Sequence, residues 1–295
     1  MSKNNKLIAW GILILLSLIW GSSFILIKRG LIVFSPGEVG ALRVIAAALF
    51  LSPIALSKLR TLDKRHFKLL FFVGMVGSFL PAFLFAKAQT QIDSAIAGVL
   101  NALTPLFVMI IGVVVFKQSL FRNVVIGIVI GLLGTILLVL AGSDGSADGL
   151  NFYALYIVVA TLCYGINVNL IKYRISDLKA MTITSVSMIL TAPIALVYLF
   201  MLTDFVEKMS SHDQALASLG YLTLLGVMGT AIALVLFNHL IKITSPVFSS
   251  SVTYLIPIVA IIWGLIDGEV LLLGHYLGMV AIVVGVYLVN KKKKK

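Results

Sequence analysis

The stretch VGMVGSFLPAFLFAKA, residues 73–88, has a counterpart later in the chain, LGVMGTAIALVLFNHL at residues 225–240. Glycines and a phenylalanine recur at the same places in both stretches. The matched pairs are Gly74 and Gly226, Gly77 and Gly229, and Phe85 and Phe237. Both copies are almost wholly apolar. The recurrence predicts a fold built from two related halves.

The composition places these halves in a membrane. Hydrophobic residues make up 60% of the 295 residues and charged residues 12%, whereas soluble domains carry about 25% charged residues. Apolar runs of about twenty residues recur along the chain, which is the length a helix needs to span a bilayer. The runs do not alternate apolar and polar residues as barrel strands do. We therefore predict an all-α polytopic membrane protein.

The apolar runs define ten transmembrane helices joined by short connections. The predicted spans are 7–28, 36–57, 67–88, 94–117, 121–141, 151–172, 178–203, 216–241, 246–266 and 273–290. The first run is longer than the apolar part of a signal peptide and no small-residue cleavage site follows it, so we predict an uncleaved span. The single cysteine, Cys163, excludes an intrachain disulfide.

Charge predicts the direction of the helices. Most of the 23 Lys and Arg residues fall in the N-terminus, the C-terminus and every second connection, and most acidic residues fall in the other connections. The positive-inside rule then places both termini in the cytoplasm of a multi-pass inner (plasma) membrane protein. We therefore interpret the net charge of +12 as a topology signal, and we expect no nucleic-acid partner. Lys291–Lys295 is predicted to be a stop-transfer anchor, with binding to anionic lipid as the alternative.

We predict a first repeat at residues 1–145 and a second at residues 146–295, each with five spans. Further pairs support this division: Pro105 and Pro257, Gly112 and Gly264, Trp20 and Tyr164, Gly21 and Gly165, Ser23 and Asn167. An odd number of spans per repeat makes the second copy enter the membrane from the opposite side. Such inverted repeats suit alternating access, because the halves can exchange roles at the two faces of the membrane.

Four stretches resemble the EamA-type transporters of the drug/metabolite transporter (DMT) superfamily. They are LIWGSSFILIK at 18–28, EVGALRVIAAAL at 38–49, SAIAGVLNALTPLFVMIIGVVVF at 94–116 and SPVFSSSVTYLIPIVAIIWGLIDGE at 245–269. The resemblance covers essentially the whole chain. It implies metabolite export, with amino acids and nucleobases among the substrates, and a central cavity lined by spans one, three, four, six, eight and nine. Glu269 fits the family's Leu-Gly-Glu-like position, whereas the first repeat has Gln118 there.

An aromatic-glycine-polar cluster occurs in the first span of each half. Trp20, Ser22 and Ser23 lie just to one side of the predicted midplane, and Tyr164 and Asn167 lie just to the other. Polar side chains in a membrane normally face the bundle interior or a wet cavity. We predict paired cavity walls or gates. The alternative is plain packing, in which the rings fill core volume and the glycines bring helices together.

Two prolines lie near the midplane of the fourth and ninth spans. Pro105 and Pro257 lack an N–H, which frees the carbonyl oxygens of Asn101 and Thr253 for other partners. We predict that the polar residues around the prolines line a substrate cavity, and the alternative is a kink that only shapes the bundle. The cavity candidates at these two positions are Asn101, Thr104, Pro105, Ser250, Thr253, Tyr254 and Pro257.

Three basic residues in the spans leave alternatives open. Arg43 can bind a substrate carboxylate, pair with Glu38 or snorkel outward; the resemblance puts its span outside the cavity and favours a structural role. Lys87 and His239 occupy matched repeat positions and are gate or proton-coupling candidates, or interfacial side chains. The middle of the spans contains no Asp or Glu, which disfavours a carboxylate-based proton antiporter.

The predicted function is transport of a small metabolite (an amino acid, nucleobase or similar compound) by alternating access, as an exporter. A channel-like facilitator and an intramembrane enzyme are the alternatives; no HExxH or P-loop motif is present, and we expect no cofactor or metal. The small-xxx-small patterns at residues 127–131 and 274–278 predict packing faces, either between the halves or between the protomers of a homodimer.

Overall fold

The computed structural model describes residues 3–60, 62–118, 122–141, 152–269 and 271–290, and within these ranges the regular elements are all helical. The predicted repeat boundary at residues 145 and 146 lies outside the described residues. The helices are α1 Lys3–Gly21, α2 Ser23–Gly30, α3 Pro36–Leu59, α4 Lys64–Gly74, α5 Leu80–Ala88, α6 Ser94–Leu100, α7 Thr104–Val114, α8 Arg122–Ala141, α9 Ala154–Tyr173, α10 Ala180–Met201, α11 Phe205–Ser211, α12 Ala215–Leu224, α13 Ala233–Ile243, α14 Pro246–Ser250, α15 Ile256–Ile266 and α16 Leu273–Asn290.

Seven helical stretches in the described ranges are long and apolar enough to cross a membrane. They are Leu7–Gly30, Pro36–Leu59, Lys64–Ala88, Ser94–Val114, Ala154–Tyr173, Ala180–Met201 and Ala215–Ile243. Two shorter apolar stretches, Ile256–Ile266 and Tyr276–Gly285, accompany them. Together these stretches make a polytopic helical membrane protein, and each lies within a few residues of a predicted span.

Four of the spans are interrupted near their middle. Two contain a wide π-helical turn, at Met75–Phe79 and Leu225–Ile232, and two contain a tight 3-10 turn, at Asn101–Leu103 and Ser251–Tyr254. The π segments lie in the two matched stretches, residues 73–88 and 225–240. The 3-10 turns come shortly before Pro105 and Pro257, where the missing N–H prevents a regular α-helical hydrogen bond. Each interruption has a counterpart at the matched position of the other half.

Glycines let the core helices approach each other closely. A Cβ atom on Gly21 of α1 would lie 2.4 Å from Cβ of Val259 in α15, and one on Gly165 of α9 would lie 2.8 Å from the backbone of Phe107 in α7. Helix α1 also packs against α13, and α9 against α5, while α3 packs along α10. This arrangement surrounds the middle of the bundle with α1, α9 and the interrupted spans.

Helices α8 and α16 form a separate tightly packed pair. A Cβ on Gly285 would lie 2.5 Å from the amide nitrogen of Gly131 and 2.6 Å from the carbonyl oxygen of Gly127. A Cβ on Gly134 would lie 2.9 Å from the carbonyl oxygen of Gly278. The glycine-rich faces of these two helices therefore meet within one chain, between the predicted halves.

Candidate substrate cavity

A cavity of about 70 Å³ lies among the core helices. Its walls come from α1, α2, α3, α5, α7, α9 and α13, and from three of the four interrupted segments. The described lining residues are Trp20, Ser23, Phe24, Ile27, Arg43, Gly77, Ser78, Phe85, Asn101, Thr104, Tyr164, Asn167, Val168, Leu234, Phe237 and Thr253. The cavity thus has aromatic and aliphatic walls with polar groups at a few points.

The structure brings together many of the side chains predicted from the sequence. Those that line the cavity are Trp20, Ser23, Asn101, Thr104, Tyr164, Asn167 and Thr253. Ser22, Pro105, Ser250 and Pro257 lie outside its lining, and the side chain of Tyr254 lies outside what the structure describes. The roles predicted for all of these residues stay predictions.

Trp20 connects α1 to the second π segment and to α13. Its indole Nε1 donates a hydrogen bond of 2.9 Å to the carbonyl oxygen of Gly229, inside the second π segment. Its ring also meets that of Phe237 edge to face, with centroids 5.0 Å apart. A π-helical turn displaces the backbone hydrogen-bond pattern of the helix. Here the Trp20 side chain, from another span, bonds a carbonyl oxygen within the turn.

The neighbouring serines of the first span have different surroundings. Ser23 is buried and lines the cavity. Both hydroxyls bond back to the carbonyl oxygen four residues earlier, Ser22 to Leu18 and Ser23 to Ile19. Ser22 also accepts a 2.9 Å hydrogen bond from the exposed indole of Trp263. Adjacent residues on a helix point about 100° apart, which separates the two hydroxyls. The cluster therefore divides: Trp20 and Ser23 reach the cavity, and Gly21 serves helix packing.

Asn167 lies where Gly77 leaves room for it. A Cβ on Gly77 would come within 2.6 Å of Nδ2 of Asn167, so the first π segment needs glycine at that point. The Asn167 side chain is buried, and its Oδ1 has no hydrogen-bond partner among the described residues. Asn169, by contrast, donates from Nδ2 to the carbonyl oxygens of Val108 and Gly165, both at 2.9 Å. Asn169 ties α9 to α7, and Asn167 remains available to a ligand.

The backbone around Pro105 is satisfied locally. Thr104 Oγ1 donates a 2.8 Å hydrogen bond to the carbonyl oxygen of Asn101, the group that the proline was predicted to free. In the other half, Thr253 Oγ1 donates to the carbonyl oxygen of Ser250 at 2.9 Å. A threonine hydroxyl thus replaces the backbone donor that Pro105 lacks. The bond made by Thr253 reaches the carbonyl oxygen of Ser250, which is not the group that Pro257 frees.

Arg43 lines the cavity although its span was expected outside it. Its Nε donates a 2.6 Å hydrogen bond to Thr230 Oγ1 in the second π segment. The pairing with Glu38 considered from the sequence does not form: Glu38 is buried, bonds the backbone N–H of Ser35 and pairs with Lys208 at 2.6 Å. The sequence signal for Arg43 was its charge deep within a span.

Lys87 and His239 are exposed and are not among the described lining residues. The Lys87 ammonium lies 5.7 Å from the ring centroid of Tyr153, a cation–π contact. Their gate or coupling role stays a prediction.

An ion-pair cluster joins the second half of the chain to the first at one end of the bundle, called here the Glu269 end. Lys28 Nζ lies 2.9 Å from Glu269 Oε1 and 2.6 Å from Asp267 Oδ2, and Arg29 also pairs with Asp267. Hydrogen bonding from the Lys28 ammonium lowers the pKa of Asp267 below the ordinary aspartate value. Asp267 therefore carries its charge at neutral pH.

Glu269 also caps helix α6. Its Oε1 accepts a hydrogen bond from the N–H of Ser94 and its Oε2 one from the N–H of Ala95, both at 3.0 Å. The carboxylate is 2% exposed and meets N–H groups that a helix start leaves without partners. One side chain thus fixes the ends of α2, α6 and α15 together.

The matched position at the opposite end has a neutral contact. Gln118, the repeat counterpart of Glu269, donates from Nε2 to the hydroxyl of Tyr173 at 2.6 Å, and this contact is exposed. Lys172, the counterpart of Lys28, bonds the carbonyl oxygens of Ile241 and Thr244 at 3.0 and 2.6 Å. The two ends of the bundle are therefore held by different chemistry.

Among the described residues, no group of three or more His, Cys, Asp or Glu side chains is placed to hold a metal ion. The described cavity lining contains hydroxyls, amides, aromatic rings and one guanidinium.

This apolar helical bundle, with a central cavity that carries a few polar groups, has the architecture of a multi-pass membrane transporter. The EamA-like transporter family model matches the chain twice, over residues 7–140 and 151–291, and the chain belongs to that family, within the DMT superfamily.

Proteins with similar sequences are also described as transporters. An uncharacterized transporter of Archaeoglobus fulgidus is 26% identical, with 96% of this chain and 99% of the relative covered. The uncharacterized inner membrane transporter YedA of Escherichia coli K12 is 27% identical, with 96% and 91% covered. Among the solved structures that are similar, a crystal structure matches the fold with a TM-score of 0.66 at 15% identity, over 98% of this chain and 96% of the other.

Proposed function

We propose that the protein is a carrier that moves a small metabolite across the inner membrane by alternating access, and that it works as an exporter. The observation that carries the proposal is the cavity, which is lined by residues from both predicted halves. Metabolite carriers of this kind bind substrate near the bilayer midplane, at the interface of two repeats and next to broken helices. Export as the direction follows from the family resemblance alone.

The proposed architecture is ten transmembrane helices in two inverted five-helix repeats. The double match to one family model supports two repeats. The interruptions support them as well, because the π segments and the 3-10 turns each occur once per half at matched positions. Helix packing is paired in the same way: α1 meets α13 and α15, while α9 meets α5 and α7. With both termini in the cytoplasm, the Glu269 end faces outward.

The conformational change proposed here separates the ion pairs at the Glu269 end while the cavity opens toward that side. Lys28 and Arg29 end the first span, and Asp267 and Glu269 follow α15. Moving α2 away from α15 breaks these pairs. The interrupted helices allow such bending, since their irregular turns absorb changes in backbone angle.

Counterflow in proteoliposomes tests the proposal. Purified protein is reconstituted with an unlabelled amino acid or nucleobase inside, and uptake of the labelled compound is followed. We expect saturable, transiently concentrative uptake for at least one compound. Trp20→Ala and Asn167→Ala are expected to lower its rate at least about tenfold, since each removes a cavity wall or a polar contact to substrate.

Trp10→Ala is the matched control, because Trp10 is an exposed tryptophan of the same span; its transport rate should stay near that of the wild type. Linear, non-saturable flux without counterflow would indicate the channel-like alternative. Absence of flux for every compound, or full activity in both cavity variants, would contradict the proposal.

A further inference from the structure

We propose that the cavity binds a small carboxylic acid that also carries an amino or hydroxyl group and an apolar side chain, with Arg43 as the partner of the carboxylate. This inference rests on the proposed transport function, because it names the substrate class of the same cavity. The sequence left carboxylate binding by Arg43 open, and only the family resemblance favoured a structural role.

The first argument is charge. Arg43 is the one charged side chain among the described lining residues, and a guanidinium stays protonated in proteins. No described carboxylate lies within ion-pair distance of Arg43. Glu38, the acidic residue on the same helix, pairs with Lys208. A cation enclosed in a membrane protein without a counter-ion is unfavourable. A bound anion supplies the missing charge.

The second argument is orientation. Thr230 Oγ1 accepts from Arg43 Nε and so fixes one edge of the planar guanidinium. The two terminal nitrogens form no hydrogen bond with the described residues, which leaves their N–H groups for a ligand. Two parallel N–H groups match the two oxygens of a carboxylate, and such bidentate pairs are among the stronger hydrogen bonds in proteins.

The third argument concerns the rest of the ligand. Asn167 Oδ1 and Ser78 Oγ are buried without hydrogen-bond partners among the described residues, and both side chains line the cavity. An amide oxygen accepts only, so Asn167 requires a donor on the ligand, such as an amino or hydroxyl group. The rings of Phe24, Phe85 and Phe237 line the same cavity and suit an apolar side chain.

The experiment compares acids with their amides. L-Alanine, L-leucine and L-phenylalanine, and the three corresponding amino acid amides, are titrated against the purified full chain. Binding is measured from the rise in unfolding temperature with ligand concentration. We expect at least one acid to bind, at least about tenfold more tightly than its amide, because the amide cannot form the charged pair.

Arg43→Gln should abolish this preference while the amide still binds. Arg60→Gln should leave the preference unchanged, because Arg60 is an exposed arginine directly after the end of the same helix. If Arg43→Gln does not fold, Arg43→Lys serves instead: it keeps the charge, lacks the planar fork, and should reduce the preference. Equal binding of acids and amides, a preference that survives in the Arg43 variant that folds, or no binding of any acid would overturn the inference.

The same variants separate this inference from the proposed function. Binding of acids that depends on Arg43, without any counterflow, would leave the carboxylate site standing and overturn transport. Counterflow of amides or nucleobases without a preference for acids would leave transport standing and overturn the assignment of Arg43.

Discussion

Glu269→Ala is expected to lower the free energy of unfolding by about 3 kcal/mol. The change removes one partner of a buried ion pair and, at the same time, the oxygens that accept hydrogen bonds from two backbone N–H groups. Without the carboxylate, the N–H groups of Ser94 and Ala95 lose their acceptor, and Lys28 keeps only Asp267. Buried donors left without partners cost about 1–3 kcal/mol each. Denaturant unfolding in detergent micelles, followed by tryptophan fluorescence, measures the change.

Glu207→Ala is the matched control. Glu207 is exposed in the short helix α11 at the same end, and its removal should change the stability by less than about 0.5 kcal/mol. Glu269→Gln should fall between the two, since it keeps one acceptor oxygen and loses the charge. Equal stabilities for Glu269→Ala and Glu207→Ala would show that the cluster does not fix the end of the bundle.

Gly285→Ala is expected to destabilise the protein by about 1–3 kcal/mol, the usual cost of overpacking. The added methyl group would lie 2.5 Å from the amide nitrogen of Gly131 and 2.6 Å from the carbonyl oxygen of Gly127. Both atoms belong to the backbone of α8, so the two helices must separate for the methyl group to fit. The unfolding temperature of the purified variant measures the effect.

Gly220→Ala provides the comparison, because a Cβ at Gly220 in α12 meets nothing within 4 Å. That change should be neutral or slightly stabilising, since alanine favours a helix over glycine. If the two alanine variants unfold at the same temperature, α8 and α16 do not pack as closely as described.

The positions of the helices could be predicted from apolar runs, and the prolines indicated where two of them break. The π segments at Met75–Phe79 and Leu225–Ile232 could not be predicted, because no residue type forces a wide turn as proline forces a break. The only sign of them was a pair of matched glycines in each half. Their role depends on contacts from other spans, such as Asn167 against Gly77.

Much of the cavity lining was anticipated by the rule that polar side chains avoid lipid. That rule does not give the rotation of a helix whose residues are apolar all round. Ser22 and Ser23 look equivalent in the sequence, yet Ser22 bonds Trp263 and Ser23 lines the cavity. Arg43 was expected outside the cavity because the family resemblance placed its span there, whereas the structure places it in the lining. The possible pairing with Glu38 does not form because Lys208, far away in the chain, takes that carboxylate.

The central claim is that one cavity opens to each side of the membrane in turn. Access to residue 23 from the two sides of the membrane tests this claim. Cys163 is the single cysteine, so Cys163→Ala gives a background for Ser23→Cys and, as a matched control, Ser22→Cys. A membrane-impermeant maleimide is applied to right-side-out and inside-out vesicles. We predict labelling of Ser23→Cys from both sides and of Ser22→Cys from neither. Labelling of Ser23→Cys from one side only, or equal labelling of the two variants, would contradict the account.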